Sequence, residues 1–84
     1  MWRKKMSRTE ILTNIQEIIR DVLDDETIQI TEETSVNDIK DWDSVAHMTI
    51  MAMIENEFEI QMDINEIVKV KTIKEMLNSV ENAL

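Results

Sequence analysis

The 84-residue chain contains neither glycine nor proline, which limits the turns that it can form. Together these two residues usually make up about 12% of a protein sequence. Most two-residue β-hairpin turns require glycine, because one or both of their central residues have a positive φ. Any other turn with a positive φ must place asparagine or aspartate there. The sequence therefore favours helices joined by wider loops over a fold built from tight hairpins.

The size of the chain and its lack of cysteine limit the kind of domain that it can form. With 84 residues we expect one domain, and domains of roughly this size bury only about 60% of the surface that the unfolded chain exposes. With no cysteine and one histidine, the chain cannot form a disulfide and is a poor candidate for a zinc site. Nothing suggests secretion, and we expect a cytoplasmic protein in a reducing compartment.

The charge of the chain is strongly negative and unevenly distributed. The net charge is −9, but four of the nine basic residues lie in the first eight positions, namely Arg3, Lys4, Lys5 and Arg8. From Thr9 onward five basic residues stand against eighteen acidic ones, a net charge of −13. Such a surface repels phosphate backbones, so nucleic acid is a poor candidate partner. It attracts proteins with basic patches and speeds their encounter.

No segment of the sequence is suited to a membrane. The chain has no run of about 18 apolar residues, and its basic start lacks the apolar stretch of a signal peptide. We expect residues 1 to 6 to form a basic leader outside the fold and residues 7 to 84 to form a monomeric domain. The sequence leaves open whether residues 1 to 5 are native or were added ahead of Met6.

Capping residues and apolar spacing predict the first helix. Ser7 and Glu10 form an S-x-x-E capping box, and apolar residues then recur at helical spacing, which predicts a helix over residues 8 to 23. The acidic residues 24 to 26 follow the C-terminal end, where negative charge opposes the helix dipole. We therefore expect that end to fray into a loop.

A long loop and a second helix follow. Residues 24 to 43 are predicted to form the loop, with one short helical turn near residues 35 to 39. Asp43 is a good N-cap for a helix over residues 44 to 58. That helix is apolar on most sides before Glu55, so it is either largely buried or keeps an apolar face for partners. The loop has apolar side chains that can attach it to the core: Ile28, Ile30, Val36, Ile39 and Trp42.

Two further capping patterns complete the predicted fold. Asp63 with Glu66 opens a short helix over residues 64 to 68, and Thr72 with Glu75 opens a last amphipathic helix. The segment FEIQMDI alternates like a strand, but a single strand without a partner is unstable, so we interpret it as an extended connector. The predicted fold class is all-α: a small bundle of three main helices plus one short helix, with a long loop between helices 1 and 2.

Ser44, at the start of the second helix, has three interpretations. As a nucleophile it would need a base and oxyanion donors, and His47 lies one helical turn away. No third group orients His47 and no glycine-rich turn supplies donors, so His47 is better explained as a partly exposed helix residue. As a helix-start residue, Ser44 would only favour local hydrogen bonds. As an exposed serine, it could be a handle for a modifying enzyme.

Acidic residues and methionines give weaker indications. Asp38, Asp41 and Asp43 resemble part of a calcium loop, but the EF-hand pattern needs a glycine and a glutamate where Asp43 and Thr49 stand. We therefore expect no specific metal site. Seven methionines are consistent either with plain core packing or with an apolar region that accepts variable guests. Four of them lie in or just after the second helix: Met48, Met51, Met53 and Met62.

The stretch Trp42-Asp43-Ser44-Val45, followed by an apolar helix closing in IENEFEI, resembles acyl carrier proteins. The family signature is Asp-Ser-Leu at the start of the second helix, and here it reads Asp-Ser-Val. A capped first helix, a long loop, a serine-bearing helix, a short third helix and a last amphipathic helix also follow the family's order. The resemblance covers roughly residues 7 to 84.

The resemblance implies that Ser44 carries 4′-phosphopantetheine, transferred from coenzyme A by a separate Mg²⁺-dependent phosphopantetheinyl transferase. The chain would then be a non-catalytic carrier that tethers acyl intermediates as thioesters and presents them to partner enzymes with basic patches. The cofactor would supply the thiol that this cysteine-free chain lacks. Asp43 would help the transferase to hold its metal, and the partner-recognition surface would comprise Asp43, Val45, Met48 and Glu55.

Departures from the family's pattern bear on the pathway. Val45 replaces the usual leucine, and Ala46 and Thr49 stand at positions that are often acidic in carriers of fatty acid synthesis. We therefore expect a specialised pathway, such as one handling a polyketide, a modified sugar, or an aminoacyl or short-acyl group. Peptidyl carriers are disfavoured because their motif usually includes Gly-Gly. The alternative is an unmodified acidic helical protein-interaction module of the same fold.

Overall fold

The computed structural model describes residues 6–84 and contains four α-helices. They are α1 (Arg8–Leu23), α2 (Ser44–Phe58), α3 (Ile64–Lys69) and α4 (Ile73–Ala83), and a 3₁₀ turn (Val36–Asp38) lies in the loop between α1 and α2. Within the described part of the chain, extended pairing is limited to one antiparallel bridge between Ser35 and Thr72. The all-α prediction is confirmed. Residues 1–5 of the predicted leader lie outside the described residues.

The start of α1 is capped as predicted, but its end is not frayed. The Ser7 hydroxyl accepts from the Glu10 N–H (3.1 Å), and the Glu10 carboxylate accepts from the Ser7 N–H (2.9 Å). At the other end Asp24 adopts a left-handed conformation with φ 53°, and its N–H donates to the carbonyls of Arg20 and Asp21. This left-handed cap satisfies carbonyls that a frayed end would leave to water.

Residues with a positive φ take the place of glycine at three turns. Among residues 6–84 they are Asp24, Asp41 and Glu59. Aspartate tolerates this region because its short side chain can bond locally, as the sequence predicted. Glu59 was not expected there, since glutamate lacks that advantage. It ends α2 with φ 54°, and its N–H donates to the carbonyls of Glu55 and Asn56.

The caps of α3 and α4 differ from each other. Thr72 and Glu75 form the predicted reciprocal capping box of α4. At α3, however, Asp63 accepts a hydrogen bond from the Asn65 N–H (2.9 Å) rather than pairing with Glu66. An aspartate side chain is short enough to close an Asx turn two residues on, which explains the difference.

The core is built mainly from isoleucine. The apolar stripe of α1 is buried between α2 and α4, and the exposed fraction falls to zero at Ile11, Ile15 and Ile19. The other fully buried large side chains come from α2 and α4: Ile50, Met51, Ile54, Ile73, Met76, Leu77 and Val80. Of the four methionines that the sequence singled out, Met51 belongs to this core, Met62 is half-buried, and Met48 and Met53 are exposed.

The long loop is attached to the helices at several points. The Gln16 side chain accepts from the Ile30 N–H (2.9 Å), and Arg20 Nε–H donates to the Ile28 carbonyl (2.7 Å). Further along, the Val36 N–H donates to the Lys71 carbonyl (2.9 Å). All five apolar side chains predicted to attach the loop are buried or packed against the core. The loop therefore has a defined path up to the start of α2.

Arg8 joins three segments of the chain. Its guanidinium donates two hydrogen bonds to the Glu32 carboxylate, at 2.8 and 2.9 Å, and one to Glu81. The contacts connect the first turn of α1 with the loop and with the last turns of α4. The Arg8 hydrogen bonds hold the pKa of the Glu32 carboxyl below its ordinary value. The pair is partly exposed, so its contribution is screened by solvent and salt.

We expect Glu32→Gln to reduce the loss of stability on acidification. Because the Glu32 pKa is lower in the folded state than in the unfolded state, the ionised pair stabilises the fold above the ordinary glutamate range, about pH 4, and less as pH falls below it. Urea unfolding should show a difference in the free energy of unfolding between the unaltered protein and Glu32→Gln at pH 7, and this difference should be smaller at pH 3.5. The exposed neighbour provides the control, Glu33→Gln. The same difference in the free energy of unfolding at both pH values would contradict this role for Glu32.

Candidate functional site

Ser44 is the first residue of α2 and is exposed to solvent. Asp43 caps the helix as predicted, because its carboxylate accepts from the Ala46 N–H at 2.7 Å. The Asp43 carbonyl accepts from the His47 N–H at 2.8 Å, which closes the first helical turn. The Ser44 hydroxyl therefore lies at the positive end of the helix dipole, where an anion is stabilised.

His47 is not available as a base for Ser44. The Trp42 Nε1–H donates to His47 Nδ1 at 3.1 Å, and His47 Nε2 lies 2.8 Å from the Ile67 carbonyl oxygen. Both ring nitrogens are therefore engaged away from the Ser44 hydroxyl. Within residues 6–84 that hydroxyl has no hydrogen-bond partner. The arrangement fits a serine that another protein approaches better than a nucleophile within a triad.

A shallow cleft of about 230 Å³ borders Ser44. Trp42 and His47 also line it, and Lys71 contributes a positive charge from the connector before α4. A larger groove of about 540 Å³ lies between α3 and α4. It does not include Ser44 and is lined largely by polar and charged side chains, so we regard it as open surface. The remaining residues of the smaller cleft are Val36, Asn37, Asp43 and Val70.

Three of the four predicted recognition residues lie beside Ser44. Asp43 is exposed next to it, Val45 is 75% exposed, and Met48 is 40% exposed one turn further along. Glu55 does not join them. It lies eleven residues beyond Ser44, roughly 16 Å along the helix axis, and its carboxylate accepts from the Met62 N–H at 2.8 Å. Glu55 thus closes the connector between α2 and α3.

The exposed residues of α2 before Glu57 carry no charge. Ala46, one of the two positions where the sequence suggested a missing acidic residue, faces the core, and Thr49 is exposed. The first exposed charged residue of the helix is Glu57. Two residues of α3 that the sequence did not single out, Ile64 and Val68, are also exposed and apolar. The exposed residues of α2 after Ser44 and before Glu57 are Val45, Met48, Thr49, Ala52, Met53 and Asn56.

Neither a metal cluster nor a membrane helix is found in the described chain. No group of three or more histidine or acidic side chains within residues 6–84 is placed to hold a metal ion. Asp38, Asp41 and Asp43, which the sequence suggested only superficially as ligands, therefore do not converge. In the same range no helix combines the length and the apolar character that crossing a membrane requires.

The fold and the site together define a small helical domain that presents Ser44 on its surface at the start of α2. A family model described as "Phosphopantetheine attachment site" matches residues 14–80. The chain therefore belongs to the phosphopantetheine-binding acyl carrier protein family. Proteins of this family are carriers and not enzymes, and their covalent cofactor is 4′-phosphopantetheine.

Curated relatives and solved structures agree with this family. The acyl carrier protein of Kocuria rhizophila is 31% identical over 77 residues, covering 92% of this chain and 95% of the relative. The acyl carrier protein of Micrococcus luteus is 29% identical over 77 residues and also covers 92% of this chain and 95% of the relative. The solution structure of a holo acyl carrier protein from Geobacter metallireducens is similar with a TM-score of 0.79 and 34% identity, covering 87% of this chain and 84% of that one.

A second solved structure shows the shared fold. The crystal structure of an acyl carrier protein from Thermotoga maritima has a TM-score of 0.82 at 20% identity. It covers 96% of this chain and 94% of the other. The helical architecture is thus kept where most of the sequence differs.

The residues around Ser44 fit the family's cofactor. The serine hydroxyl is exposed, as a transferase acting from outside requires. The chain has no cysteine, so the cofactor supplies the thiol on which a thioester forms. Lys71 lines the same cleft and would offer a positive charge to the phosphate of the cofactor.

Proposed function

We propose that Ser44 is the attachment point of 4′-phosphopantetheine and that the protein tethers acyl groups as thioesters for presentation to other enzymes. The observation that supports this most is the exposed Ser44 hydroxyl at the capped start of α2, without a hydrogen-bond partner in residues 6–84. An unengaged hydroxyl costs little to modify, because no interaction of the fold is lost. The cofactor supplies the acyl-carrying thiol when bound.

The chain's own contribution is to hold and present the serine. Asp43 fixes the first turn of α2 through its bond to Ala46, and its second carboxylate oxygen can face a transferase and its metal. Since the transferase activates the hydroxyl, Ser44 needs no base of its own. The carrier can therefore lack catalytic residues and still be modified at one position.

We propose that partners recognise Asp43, Val45 and Met48 directly. These side chains are exposed within one helical turn of Ser44. Glu55, the fourth predicted residue, supports recognition indirectly, because it holds the end of α2 to Met62. Approach is steered by the acidic surface, which attracts partners with basic patches, including the phosphopantetheinyl transferase. In this proposal the carrier acts as a cytoplasmic monomer.

A specialised pathway accounts for the uncharged face of α2. The overall charge of −9 attracts basic partners from a distance, but the residues nearest Ser44 on α2 offer them apolar contact. Carriers of fatty acid synthesis often have acidic residues in these turns. We therefore propose a dedicated set of partners, and not the enzymes of housekeeping fatty acid synthesis.

The first test is modification itself. The protein is incubated with coenzyme A, Mg²⁺ and a broad-specificity phosphopantetheinyl transferase, and its intact mass is recorded. We expect the gain of one phosphopantetheine per chain. A known carrier protein in the same reaction controls for transferase activity. If only the known carrier gains mass, the unmodified interaction module becomes the better explanation.

The second test concerns the pathway. The protein is isolated from its own cells without thioester cleavage, and the mass of the attached acyl group is measured. We expect a short, functionalised or aminoacyl group. A series of long saturated chains would instead assign the protein to fatty acid synthesis and contradict the specialised role.

A further inference from the structure

His47 connects the loop before Ser44 with the end of α3. It accepts a hydrogen bond from the Trp42 indole N–H at 3.1 Å, and its other ring nitrogen lies 2.8 Å from the Ile67 carbonyl. The two rings also contact each other, with centroids 5.8 Å apart and a tilt of 58°. Trp42 packs against the core and Ile67 is buried, so both ends of this bridge are themselves fixed.

The partners of His47 determine which nitrogen carries its hydrogen. An indole N–H can only donate, so Nδ1 must be the acceptor. A carbonyl oxygen can only accept, so Nε2 must carry the hydrogen and donate to Ile67. The neutral tautomer with its hydrogen on Nε2 satisfies both bonds, and no other form of the ring does. His47 therefore acts as a directional link that accepts from one side and donates to the other.

Ser44 lies in the chain between Trp42 and His47, the two side chains that this hydrogen bond joins. Trp42 is two residues before Ser44 and His47 is three residues after it. All three line the same cleft, and the His47 N–H also donates to the Asp43 carbonyl. The left-handed residue Asp41 turns the chain just before Trp42. Trp42 and His47 therefore flank Ser44 along the chain and share its cleft.

We propose that His47 is a positioning residue for modification of Ser44: by joining Trp42 to Ile67 it holds the serine in the orientation that a transferase requires. The inference rests on the proposed function and goes beyond it, because His47 contacts neither the cofactor nor the reacting hydroxyl. Without the link, the Trp42 ring loses its hydrogen bond, and the segment that leads into Ser44 is held by fewer contacts, among them the capping bond of Asp43. The hydroxyl then spends less time where the transferase can use it, and well-positioned groups react faster by large factors.

Three variants separate the two halves of the link. His47→Leu replaces the ring with an apolar side chain of similar volume and removes both hydrogen bonds. His47→Asn places an amide oxygen near the position of Nδ1, where it can accept from Trp42. His47→Gln reaches the position of Nε2, where it can donate to the Ile67 carbonyl. All are made with Trp2→Phe, so that Trp42 is the only tryptophan and its fluorescence reports on the first bond.

The experiment measures phosphopantetheine transfer at saturating coenzyme A over a range of carrier concentrations. We expect His47→Leu to lower kcat/KM by about tenfold, mainly through kcat, and to shift and broaden the Trp42 emission. We expect His47→Asn to recover most of the rate and the emission, and His47→Gln to recover less. Ile54→Val serves as the control, since it destabilises the core without touching the link and should leave transfer unchanged.

The outcomes distinguish this inference from the proposed function. If the unaltered protein gains no phosphopantetheine, the proposed function fails and the inference fails with it. If the unaltered protein is modified and His47→Leu has the same kcat/KM for phosphopantetheine transfer, only the inference fails. If Ile54→Val slows transfer as much as His47→Leu does, the effect is one of stability, which also overturns the positioning role.

Discussion

Replacing Ser44 by alanine is expected to abolish the gain of phosphopantetheine completely, with almost no change in stability. The hydroxyl is the proposed site of the new bond, and no other serine shares its position at the start of α2. Alanine is a good helix former at the first position of a helix. Because the Ser44 side chain has no hydrogen-bond partner in residues 6–84, its removal leaves the fold intact. Intact mass and thermal unfolding measure the two effects separately.

A second serine gives the matched control for this result. Ser35 caps the 3₁₀ turn by accepting from the Asn37 N–H at 3.2 Å. Ser35→Ala should lower stability by about 1 kcal/mol, as the loss of a cap does, and should still gain one phosphopantetheine. Ser44→Ala should therefore lose modification and keep its stability, whereas Ser35→Ala should lose stability and keep its modification. Modification of Ser44→Ala at the normal rate would remove Ser44 as the attachment point.

The largest expected loss of stability is that of Ile54→Ala. Ile54 lies in α2 with an exposed fraction of zero and belongs to the central apolar cluster. Removing its outer carbons costs transfer free energy and leaves a cavity, together about 2 to 5 kcal/mol. Natural domains have only about 5 to 15 kcal/mol in total, and a domain of this size has less to lose. The midpoint of thermal unfolding should fall by roughly 10 °C or more.

The adjacent residue on the same helix provides the control. Met53 is 39% exposed, so Met53→Ala should change the free energy of unfolding by less than about 0.5 kcal/mol. The intermediate change Ile54→Val should cost about 0.5 to 1.5 kcal/mol. Urea unfolding monitored by circular dichroism gives all three values. A loss for Ile54→Ala no larger than that for Met53→Ala would show that α2 does not pack as described.

Local sequence signals were sufficient to predict the helices. Ser7, Asp43 and Thr72 each satisfy N–H groups at a helix start, and such caps can be identified without tertiary contacts. The predicted bounds of the first two helices are confirmed. At α3 the same reasoning was wrong in detail, because a pattern alone does not say whether an aspartate will bond two or three residues ahead.

The long-range hydrogen bonds of the candidate site and the exposure of its side chains could not be predicted from the sequence. The bond from His47 to Ile67 joins residues twenty positions apart, and no periodic pattern indicates it. Likewise, the bond from the Met62 N–H to the Glu55 carboxylate, which closes the connector after α2, has no signature in the sequence. The exposure of Ile64 and Val68 was missed because apolar residues on a short helix are normally assigned to the core.

The attached loop between α1 and α2 affects how far the cargo can travel. Loop N–H groups donate to the Gln16 side chain and the Lys71 carbonyl, and Arg20 donates to a loop carbonyl, so the path of this loop is fixed up to the start of α2. If Ser44 is the attachment point, as proposed, the acyl group is anchored at a fixed position on the domain, and its freedom of movement comes from the prosthetic arm. The extended length of the arm then sets a common upper limit on reach, so every partner must bring its active site within that distance of Ser44.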